Sequence, residues 1–264
     1  MNASAGGSTA LTGPELSWIV PMYRTSDALP ELLRRIDITV DRLAVASEIV
    51  LVDDACPERS ADRADELTSR TPKTVVRLDN NIGQDRALRE GMRRCGGRWA
   101  VLLDGDLQDP PEAVAQLWSG RTPFDVVFAD RVGQYESSGR LLTSRLYRRC
   151  VELVGGLPRG AGLFVLVKRP VVDAVVASTS TRFSMLAAIA SASVGGARTS
   201  VIVERAPRSS GGSSYSAFDR LAKGVGTVGQ MLMLLVRSRH ERAKRATHQH
   251  GERSSSETPS RRPQ

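Results

Sequence analysis

Short apolar runs alternate with amphipathic segments through the first 110 residues, and this alternation constrains the fold more than any other feature. The first amphipathic segment predicts a helix over 27–43, with leucine and isoleucine on one face and Ser26 as its N-cap. Further helices are predicted over 60–70 and 84–95. The resulting β-α-β-α-β-α-β order is typical of a doubly wound α/β fold with a mostly parallel sheet. The four apolar runs that predict its strands are 16–21, 48–54, 74–78 and 99–104.

The second half of the chain continues the α/β pattern less regularly. Strands are predicted at 125–129, 163–168 and 199–204. Helices are predicted at 138–153 and from a Gly/Ser-rich loop to about Val236. A length of 264 residues suits one large domain or two small ones. The predicted boundaries are a disordered leader at 1–13, one domain at 14–236 that divides after residue 110, and a disordered basic tail at 237–264.

The distribution of charge and histidine excludes several kinds of catalytic site. The formal net charge is +8, but residues 237–264 hold eight basic and three acidic residues, which leaves only +3 on the rest of the chain. All three histidines, at 240, 248 and 250, also lie in this tail. The predicted domain therefore has no histidine for a Ser-His-Asp or Cys-His site or for a His-ligated metal.

Cysteine usage and hydropathy indicate where the protein works. The three cysteines, Cys56, Cys95 and Cys150, are odd in number and widely spaced, so they form neither a disulfide framework nor a zinc signature. This usage is typical of the reducing cytoplasm. The most apolar late run, 225–236, is shorter than the about 20 residues that a membrane span needs, and the N-terminus does not have the features of a signal peptide. We expect a cytoplasmic protein, or one peripheral on the inner face of the cell membrane.

The segment DGDLQDPPE at 104–112 directly follows the fourth predicted strand. Asp104 and Asp106 flank Gly105, which we expect to turn the chain so that both carboxylates face a cleft. Closely spaced oxygen ligands suit a hard divalent cation that keeps some waters and is completed by substrate phosphates. An alternative is an acidic turn in which Asp109 or Glu112 only caps a helix.

Polar residues at the ends of two other predicted strands favour the functional interpretation of this segment. The first strand ends at Pro21-Met22-Tyr23 and the second at Asp53-Asp54. Ligands of doubly wound sheets bind beyond the carboxyl ends of the strands, where such residues converge. We therefore expect these residues and the DGD segment to share one site.

Four segments of the chain resemble family 2 glycosyltransferases with the GT-A fold. In order and spacing these segments are VPMYRTSDALPELLRRI, EIVLVDDACPERS, NNIGQDRALREGM and DGDLQDPPE. Within the family, residues 16–222 are most similar to the polyprenyl-phosphate sugar transferases, such as dolichyl-phosphate mannose synthases and undecaprenyl-phosphate aminoarabinose transferases. The resemblance implies an inverting, metal-dependent transfer of a sugar from a nucleoside diphosphate to a polyprenyl phosphate. It also implies that residues 14–110 form a nucleotide-binding half and that residues 111–236 form an acceptor-binding half.

The resemblance also implies roles for individual residues. The metal ion, Mg²⁺ or Mn²⁺, is assigned to Asp104, Asp106 and Gln108. It would neutralise the charge that builds on the departing nucleoside diphosphate. The nucleotide-binding set is Pro21, Tyr23, Asp53, Asp54, Gln84 and Asp104.

The acceptor half carries the residues that the resemblance assigns to phosphate. An arginine fork beside a Gly-rich loop suits a phosphate group chemically. The assigned phosphate or acceptor ligands are Arg131, Arg145, Arg208, Ser213 and Tyr215, and the assigned catalytic residues are Asp104, Asp106, Arg131 and Arg208. An alternative for Arg131 and Arg145 is that both are solvated arginines on the protein surface.

Two positions depart from the family pattern. Ser214 stands where the family loop has lysine, which weakens one phosphate contact. Leu163 stands where mannose synthases have aspartate, and the aminoarabinose transferases also lack this acid. The second departure favours the aminoarabinose type.

The charges of the acceptor half favour an anionic acceptor. Between Val154 and Phe218 the only acids are Asp173 and Glu204. A hydroxyl acceptor needs a general base, whereas a phosphate is already an anionic nucleophile and needs cations to hold it. Asp106 and Asp130 remain candidate bases. The basic residues of this stretch are Arg159, Lys168, Arg169, Arg182, Arg198, Arg205 and Arg208.

Three other functions stay open at this point. The acceptor is a soluble natural product or polysaccharide end in the first, and in the second the chain is an inactive relative that binds the donor without transferring it. In the third, the basic tail makes the chain a nucleic-acid or membrane-binding module. The apolar helix before the tail suits an anionic lipid surface or packing on the domain. No nucleic-acid partner is expected, because that function leaves DGDLQDPPE unexplained.

Overall fold

The computed structural model describes residues 13–132, 152–153, 155–178, 184–204 and 229. Seven strands form one sheet: β1 Leu16–Met22, β2 Ser47–Asp53, β3 Lys73–Arg77, β4 Trp99–Leu102, β5 Val126–Val132, β6 Val165–Lys168 and β7 Arg198–Glu204. Within the described part of the chain, these helices accompany the sheet: α1 Leu29–Leu43, α2 Ser60–Glu66, α3 Gln84–Arg94, α4 Val114–Ser119, α5 Arg169–Ala177 and α6 Met185–Ala192. A 3-10 turn, Pro111–Ala113, directly precedes α4.

The strands follow the spatial order β3-β2-β1-β4-β6-β5-β7. β1 pairs in parallel with β2 and β4, and β5 pairs in parallel with β7, while β6 runs antiparallel to both of its neighbours. The predicted α/β fold with a mostly parallel sheet is therefore confirmed. Because β6 alone is reversed, β4 and β5 run in the same direction and end at the same edge of the sheet.

Helices cover both faces of the sheet because the strands are apolar on both sides. In β1, Trp18 and Val20 pack on one face with α1, α2 and α4. Ile19, between them, packs on the other face with α3, α5 and α6. All three side chains are fully buried. This arrangement explains why the first strand reads as a continuous apolar run instead of an alternating one.

The start of α1 differs from the sequence-based prediction. Its N-cap is Ala28, without a side-chain hydrogen bond, so the prediction of Ser26 as N-cap is wrong. Pro30 lies in the first turn, where its fixed φ favours helix initiation and its missing N–H costs nothing. The Ser26 hydroxyl instead lies 2.9 Å from the hydroxyl of Ser60 at the start of α2.

The direction of the strands distinguishes two edges of the sheet. The carboxyl-end edge is where β1, β2, β4, β5 and β7 end, and the amino-end edge is where they begin. No described helix is long and apolar enough to cross a bilayer. Cys56 and Cys95 are buried free thiols, and Cys150 lies outside the described residues.

Candidate active site

At the carboxyl-end edge β1 and β4 stop pairing, and the space beyond their last pair is termed the crevice. Their last paired residues are Ile19 and Leu102, followed by a hydrogen bond of 3.1 Å from Leu103 N–H to the Ile19 carbonyl. β2 and β3 lie on one side of β1, and β4 lies on the other. Successive strands are therefore added to the sheet in one direction up to β3 and in the other direction from β4. The position between β1 and β4 is the switch point at which ligands of open α/β sheets bind.

Gly105 lies in close contact with β1. A Cβ added to Gly105 would lie 3.3 Å from the carbonyl oxygen of Pro21 and 3.5 Å from a methyl of Thr25. The left-handed residue of this turn is Leu107, with φ of 61°, and not the glycine. The expectation that Gly105 supplies the turn is therefore corrected, since its small size serves contact with β1 and the turn lies two residues later.

Asp104 and Asp106 stand half-buried at the mouth of the crevice. Gln84, the first residue of α3, donates from Nε2 to Oδ1 of Asp104 at 2.5 Å. The backbone N–H of Gln108 donates to Oδ1 of Asp106 at 3.1 Å, and the Gln108 side chain is buried. The structure thus brings Gln84 of α3 to Asp104, whereas the contact between Gln108 and Asp106 is a local one made by the Gln108 backbone. The roles assigned to these side chains stay predictions.

The residues Asp53 and Asp54 order the two loops beside the crevice. Asp53 accepts hydrogen bonds from the backbone N–H groups of Cys56 at 2.9 Å and of Ala61, in the first turn of α2, at 3.2 Å. Asp54 accepts from those of Ile82 at 2.7 Å and Gly83 at 2.9 Å, just before α3. The sequence reasoning did not anticipate these structural roles. Carboxylate oxygens accept more than one hydrogen bond, so a nucleotide contact of Asp53 stays a prediction.

The end of β1 and the turn that follows it lie across the crevice from the end of β4. Pro21 and Tyr23 are half-buried, and the guanidinium of Arg24 lies 5.6 Å from the centre of the Tyr23 ring. The hydroxyl of Thr25 is buried and has no hydrogen-bond partner among the described residues. A buried hydroxyl in this position is suited to a ligand oxygen, because an unpaired buried polar group is costly.

Arg131, near the end of β5, reaches the crevice and pairs with Asp109. Its Nε donates to Oδ1 of Asp109 at 2.8 Å, and its Nη2 donates to Oδ2. The Asp109 side chain is 0% exposed and that of Arg131 is 23% exposed. Burial lowers the pKa of Arg131, but the negative charges of Asp109, Asp104 and Asp106 outweigh burial and raise it. Arg131 is therefore a permanent cation among three carboxylates, and the alternative of a solvated surface arginine is wrong.

The helix-cap alternative for this acidic segment is also wrong. The N-caps of the 3-10 turn and of α4 are Pro110 and Ala113, and neither N-cap has a side-chain hydrogen bond. Glu112 forms a two-point pair with Arg35 of α1, with Nε and Oε1 2.8 Å apart. The sequence reasoning missed Asp109 as the partner of Arg131, although β4 and β5 both lead to this edge.

The donor set fits a divalent cation that also binds substrate oxygens. Asp104 and Asp106 offer carboxylate oxygens two residues apart, and the described residues contain no group of three His, Cys, Asp or Glu arranged to hold a metal. Mg²⁺ and Mn²⁺ suit such a site, because they bind through one or two carboxylates and complete their coordination with water and phosphate.

Asp130, near the end of β5, and Glu204, at the end of β7, place further carboxylates at the same edge. Gly160, with φ of 74°, leaves room for Asp130, since an added Cβ would lie 2.0 Å from its Oδ1. Glu204 ends β7 opposite Val132 in register, one residue after Arg131. Acids are therefore present at this edge, and the sparse acids of the acceptor-half sequence do not exclude a base.

Several basic residues that supported an anionic acceptor lie elsewhere. Lys168 pairs in register with Trp99 and Arg198 with Val126, which places both at the amino-end edge together with Arg169. Lys168 forms an ion pair with Asp125, and Arg169 and Arg198 bind backbone carbonyl groups. The inference that these three cations hold the acceptor is wrong. Of the others, Arg159 is exposed beside Gly160, and Arg182, Arg205 and Arg208 lie outside the described residues.

The remaining assigned residues also lie outside the described residues. These are Arg145, Arg208, Ser213 and Tyr215, together with the Gly/Ser loop, the basic tail and, except for residue 229, the helix predicted to end near Val236.

Comparison with known sequences matches the part of the chain that contains the site residues described above. The sequence profile described as "Glycosyl transferase family 2" matches residues 17–165. An undecaprenyl-phosphate 4-deoxy-4-formamido-L-arabinose transferase of Pseudomonas fluorescens is 33% identical over 206 residues, covering 76% of this chain and 60% of that protein. Proteins of the same name from Pseudomonas syringae pv. syringae (32% over 206 residues) and Pseudomonas aeruginosa (33% over 209 residues) have the same coverage. The chain thus spans 60% of the length of these curated relatives.

Comparison with solved structures shows the fold. A mannosyltransferase from Pyrobaculum calidifontis in complex with GDP-Man and Mn²⁺ has a TM-score of 0.55 and 17% identity, covering 85% of this chain and 70% of that one. Glucosyl-3-phosphoglycerate synthase from Mycobacterium tuberculosis with Mn²⁺, UDP-Glc and phosphoglyceric acid has a TM-score of 0.61 and 15% identity, covering 84% and 80%. The predicted GT-A fold is confirmed.

Proposed function

The chain belongs to glycosyl transferase family 2, and on this premise we propose that it transfers a sugar, with inversion, from a nucleoside diphosphate to a polyprenyl phosphate. The observation that carries the proposal is the pair Asp104 and Asp106 at the separation of β1 and β4, with Gln84 and Arg131 beside it. This arrangement combines oxygen ligands for a cation with a fixed positive charge for phosphate.

The nucleotide half supplies the donor site. Asp53 and Asp54 order the loops that follow β2 and β3, and Pro21, Tyr23 and Thr25 lie at the end of β1 and in the turn after it. Gln84 fixes the orientation of Asp104 through a hydrogen bond. Mg²⁺ or Mn²⁺, held by Asp104 and Asp106 with Gln108 nearby, would neutralise the charge on the departing nucleoside diphosphate. Two structurally similar enzymes were solved with Mn²⁺ and a nucleotide sugar, which supports this assignment.

The acceptor assignment is supported by the named relatives and by Arg131. The relatives carry undecaprenyl phosphate in their names. In the proposed reaction a phosphate oxygen of the lipid attacks the anomeric carbon of the sugar as the bond from that carbon to the donor diphosphate breaks. An ionised phosphate needs no base for this attack, and the guanidinium of Arg131 is suited to bind it. Arg145, Arg208, Ser213 and Tyr215 are proposed to complete this subsite.

The proposed acceptor places the protein at a membrane surface. A polyprenyl chain stays in the bilayer, so the crevice must reach the headgroup region from the cytoplasmic side. The tail at 237–264, with its net charge of +5, is suited to anionic lipid headgroups. Peripheral binding at the inner face is thus part of the proposal.

The acceptor is tested with donors that carry a label in the sugar. The protein is incubated with Mn²⁺, a panel of labelled nucleoside diphosphate sugars and either undecaprenyl phosphate, undecaprenol or a water-soluble polysaccharide end. We expect label in the lipid phosphate, none in undecaprenol, and loss of the product in EDTA. Label in the soluble acceptor alone would assign the chain to a different acceptor class, and undiminished transfer in EDTA would remove the metal ion from the proposal.

A further inference from the structure

Five residues other than glycine have a left-handed backbone in the part of the chain that the structure describes, and three of them follow strands at the carboxyl-end edge. These are Arg24 after β1, with φ of 56°, Ala55 after β2, with φ of 50°, and Leu107 after β4, with φ of 61°. The other two, Ala44 and Arg59, cap helices. A left-handed backbone is unfavourable for an L-residue, because Cβ approaches a carbonyl oxygen, and residues held in it cluster at binding sites.

The main chain of Arg24 is fixed by the loop that follows β2. Its N–H donates to Sγ of Cys56 at 3.0 Å, and the hydroxyl of Ser60 donates to the same sulfur at 3.0 Å. Cys56 in turn donates its N–H to Asp53 at 2.9 Å. The turn after β1 is thus tied to the end of β2 and to the start of α2. These contacts hold Arg24 in the left-handed conformation.

The side chain of Arg24 gives the fold no reason to place an arginine here. It is exposed, and no carboxylate within the described ranges forms an ion pair with it. Its guanidinium lies 5.6 Å from the centre of the Tyr23 ring. Glycine or asparagine would adopt the left-handed backbone at a lower cost than arginine. The strained position therefore carries a cation that the described fold leaves available beside Tyr23.

The proposed donor needs a cation in this region. A nucleoside diphosphate is an anion, and Asp53, Asp54 and Asp104 place carboxylates in the loops at the same edge, where they repel its phosphates. The metal ion assigned to the loop after β4 offsets this repulsion at one end of the site. Arg24 provides a second positive charge in the turn after β1, with five N–H donors and no acceptor, which suits phosphate oxygens.

We propose that Arg24 is a donor-binding residue whose guanidinium binds a phosphate oxygen of the nucleoside diphosphate beside the ring of Tyr23. The inference rests on the proposed function, because it takes the end of β1 as part of the donor site. It adds a residue to the nucleotide-binding set. It also explains why a long cationic side chain stands on a backbone that disfavours it.

The test compares donor affinity with fold stability in Arg24→Gly. UDP, GDP and dTDP are titrated calorimetrically into the wild-type protein with Mn²⁺, and the tightest binder of the three is used for the variants. Glycine adopts a left-handed backbone without strain and keeps the N–H that binds Cys56. We expect the dissociation constant to rise at least about tenfold, which corresponds to about 1.4 kcal/mol. The urea midpoint of unfolding should equal or exceed that of the wild type, which a residue that only supports the turn would not show.

Arg59→Gly is the matched control for this variant. Arg59 has the same φ of 56° and is also exposed, but its Nε lies 2.6 Å from Oδ2 of Asp62. Its loss removes only an exposed ion pair, so the dissociation constant should stay within about twofold of the wild-type value. Arg24→Lys tests the charge, because lysine keeps it and removes the planar fork, and we expect a rise of about threefold.

Each outcome decides one claim. Unchanged donor affinity in Arg24→Gly overturns the inference while the donor site stands. A lower urea midpoint in Arg24→Gly than in Arg59→Gly, or failure of Arg24→Gly to fold, assigns Arg24 to the fold and also overturns it. Equal losses of affinity in Arg24→Lys and Arg24→Gly overturn the phosphate contact, because the charge would then have no effect. If the wild-type protein binds none of the three nucleoside diphosphates, the donor of the proposed function is wrong and the inference is overturned with it.

Discussion

The two edges of the sheet are both rich in polar side chains, but they use them in different ways. At the amino-end edge, Ser17 donates to Glu48 at 2.6 Å, and the N–H of Gly97 donates to the Ser17 hydroxyl at 2.8 Å. Arg169 binds the carbonyl groups of Cys95 and Gly97. At the carboxyl-end edge, three carboxylates and an arginine converge beside a crevice instead.

The difference shows how to separate a structural polar cluster from a functional one. Backbone groups at the amino-end edge need partners because they are buried, and side chains that satisfy them stabilise the fold. Like charges gathered at the carboxyl-end edge repel one another, so they weaken the fold unless a cation joins them. The number of basic residues in the sequence could not distinguish a structural cluster from a functional one. Lys168, Arg169 and Arg198 were misassigned for that reason.

The largest effect on stability is expected from Arg169→Ala. It leaves the carbonyl groups of Cys95 and Gly97 without this partner, and each unpaired buried acceptor costs about 1–3 kcal/mol. We expect the free energy of unfolding to fall by about 3 kcal/mol in urea titrations, with transfer activity per folded molecule unchanged.

Asp173→Ala is the control for this variant. Asp173 is the 64% exposed ion-pair partner of Arg169, and its loss should cost less than about 0.5 kcal/mol. If Arg169→Ala instead lost transfer activity while its free energy of unfolding stayed unchanged, the amino-end edge would have a functional role. That result would contradict the distinction between the two edges.

A smaller and pH-dependent effect is expected from Asp37→Asn. Asp37, on α1, accepts hydrogen bonds from Ser69, from Arg70 N–H and from both the N–H and the hydroxyl of Thr71, just before β3. Burial acts to raise the pKa of Asp37, but these hydrogen bonds outweigh it and lower the pKa. A lowered pKa means that the ionised form stabilises the fold above the unfolded-state pKa of about 3.9, and that this contribution declines as the pH falls below that value.

The measurement for Asp37→Asn is a series of urea titrations between neutral and acidic pH. Relative to wild type we expect a loss of about 2 kcal/mol at pH 7 that shrinks once the pH falls below about 4. Asp41→Asn, which removes an exposed carboxylate of the same helix, should show little loss at either pH. A deficit for Asp37→Asn that stays constant with pH would show that the ionised form is not the stabilising one.

The sequence allowed the architecture of the sheet to be predicted because strand periodicity and strand ends are local properties. Runs such as 99–104 gave β4, and the polar residues that follow β1, β2 and β4 converge as expected. The start of α1 was missed because Pro30 and the Ser26–Ser60 contact outweigh capping propensity. The partner of Arg131 was missed because β6 lies between β4 and β5, and this insertion is not visible in the order of the sequence.

The central claim is that Asp104 and Asp106 act on the donor diphosphate through a divalent cation, and Asp106→Ala tests it most directly. Sugar transfer and urea unfolding should be measured on the same preparations of wild type and variant, with Mn²⁺ and in EDTA. We predict that the variant loses transfer by at least about 100-fold, corresponding to about 2.7 kcal/mol of transition-state stabilisation, while its free energy of unfolding changes by less than about 1 kcal/mol. Transfer by Asp106→Ala at the wild-type rate would contradict the account.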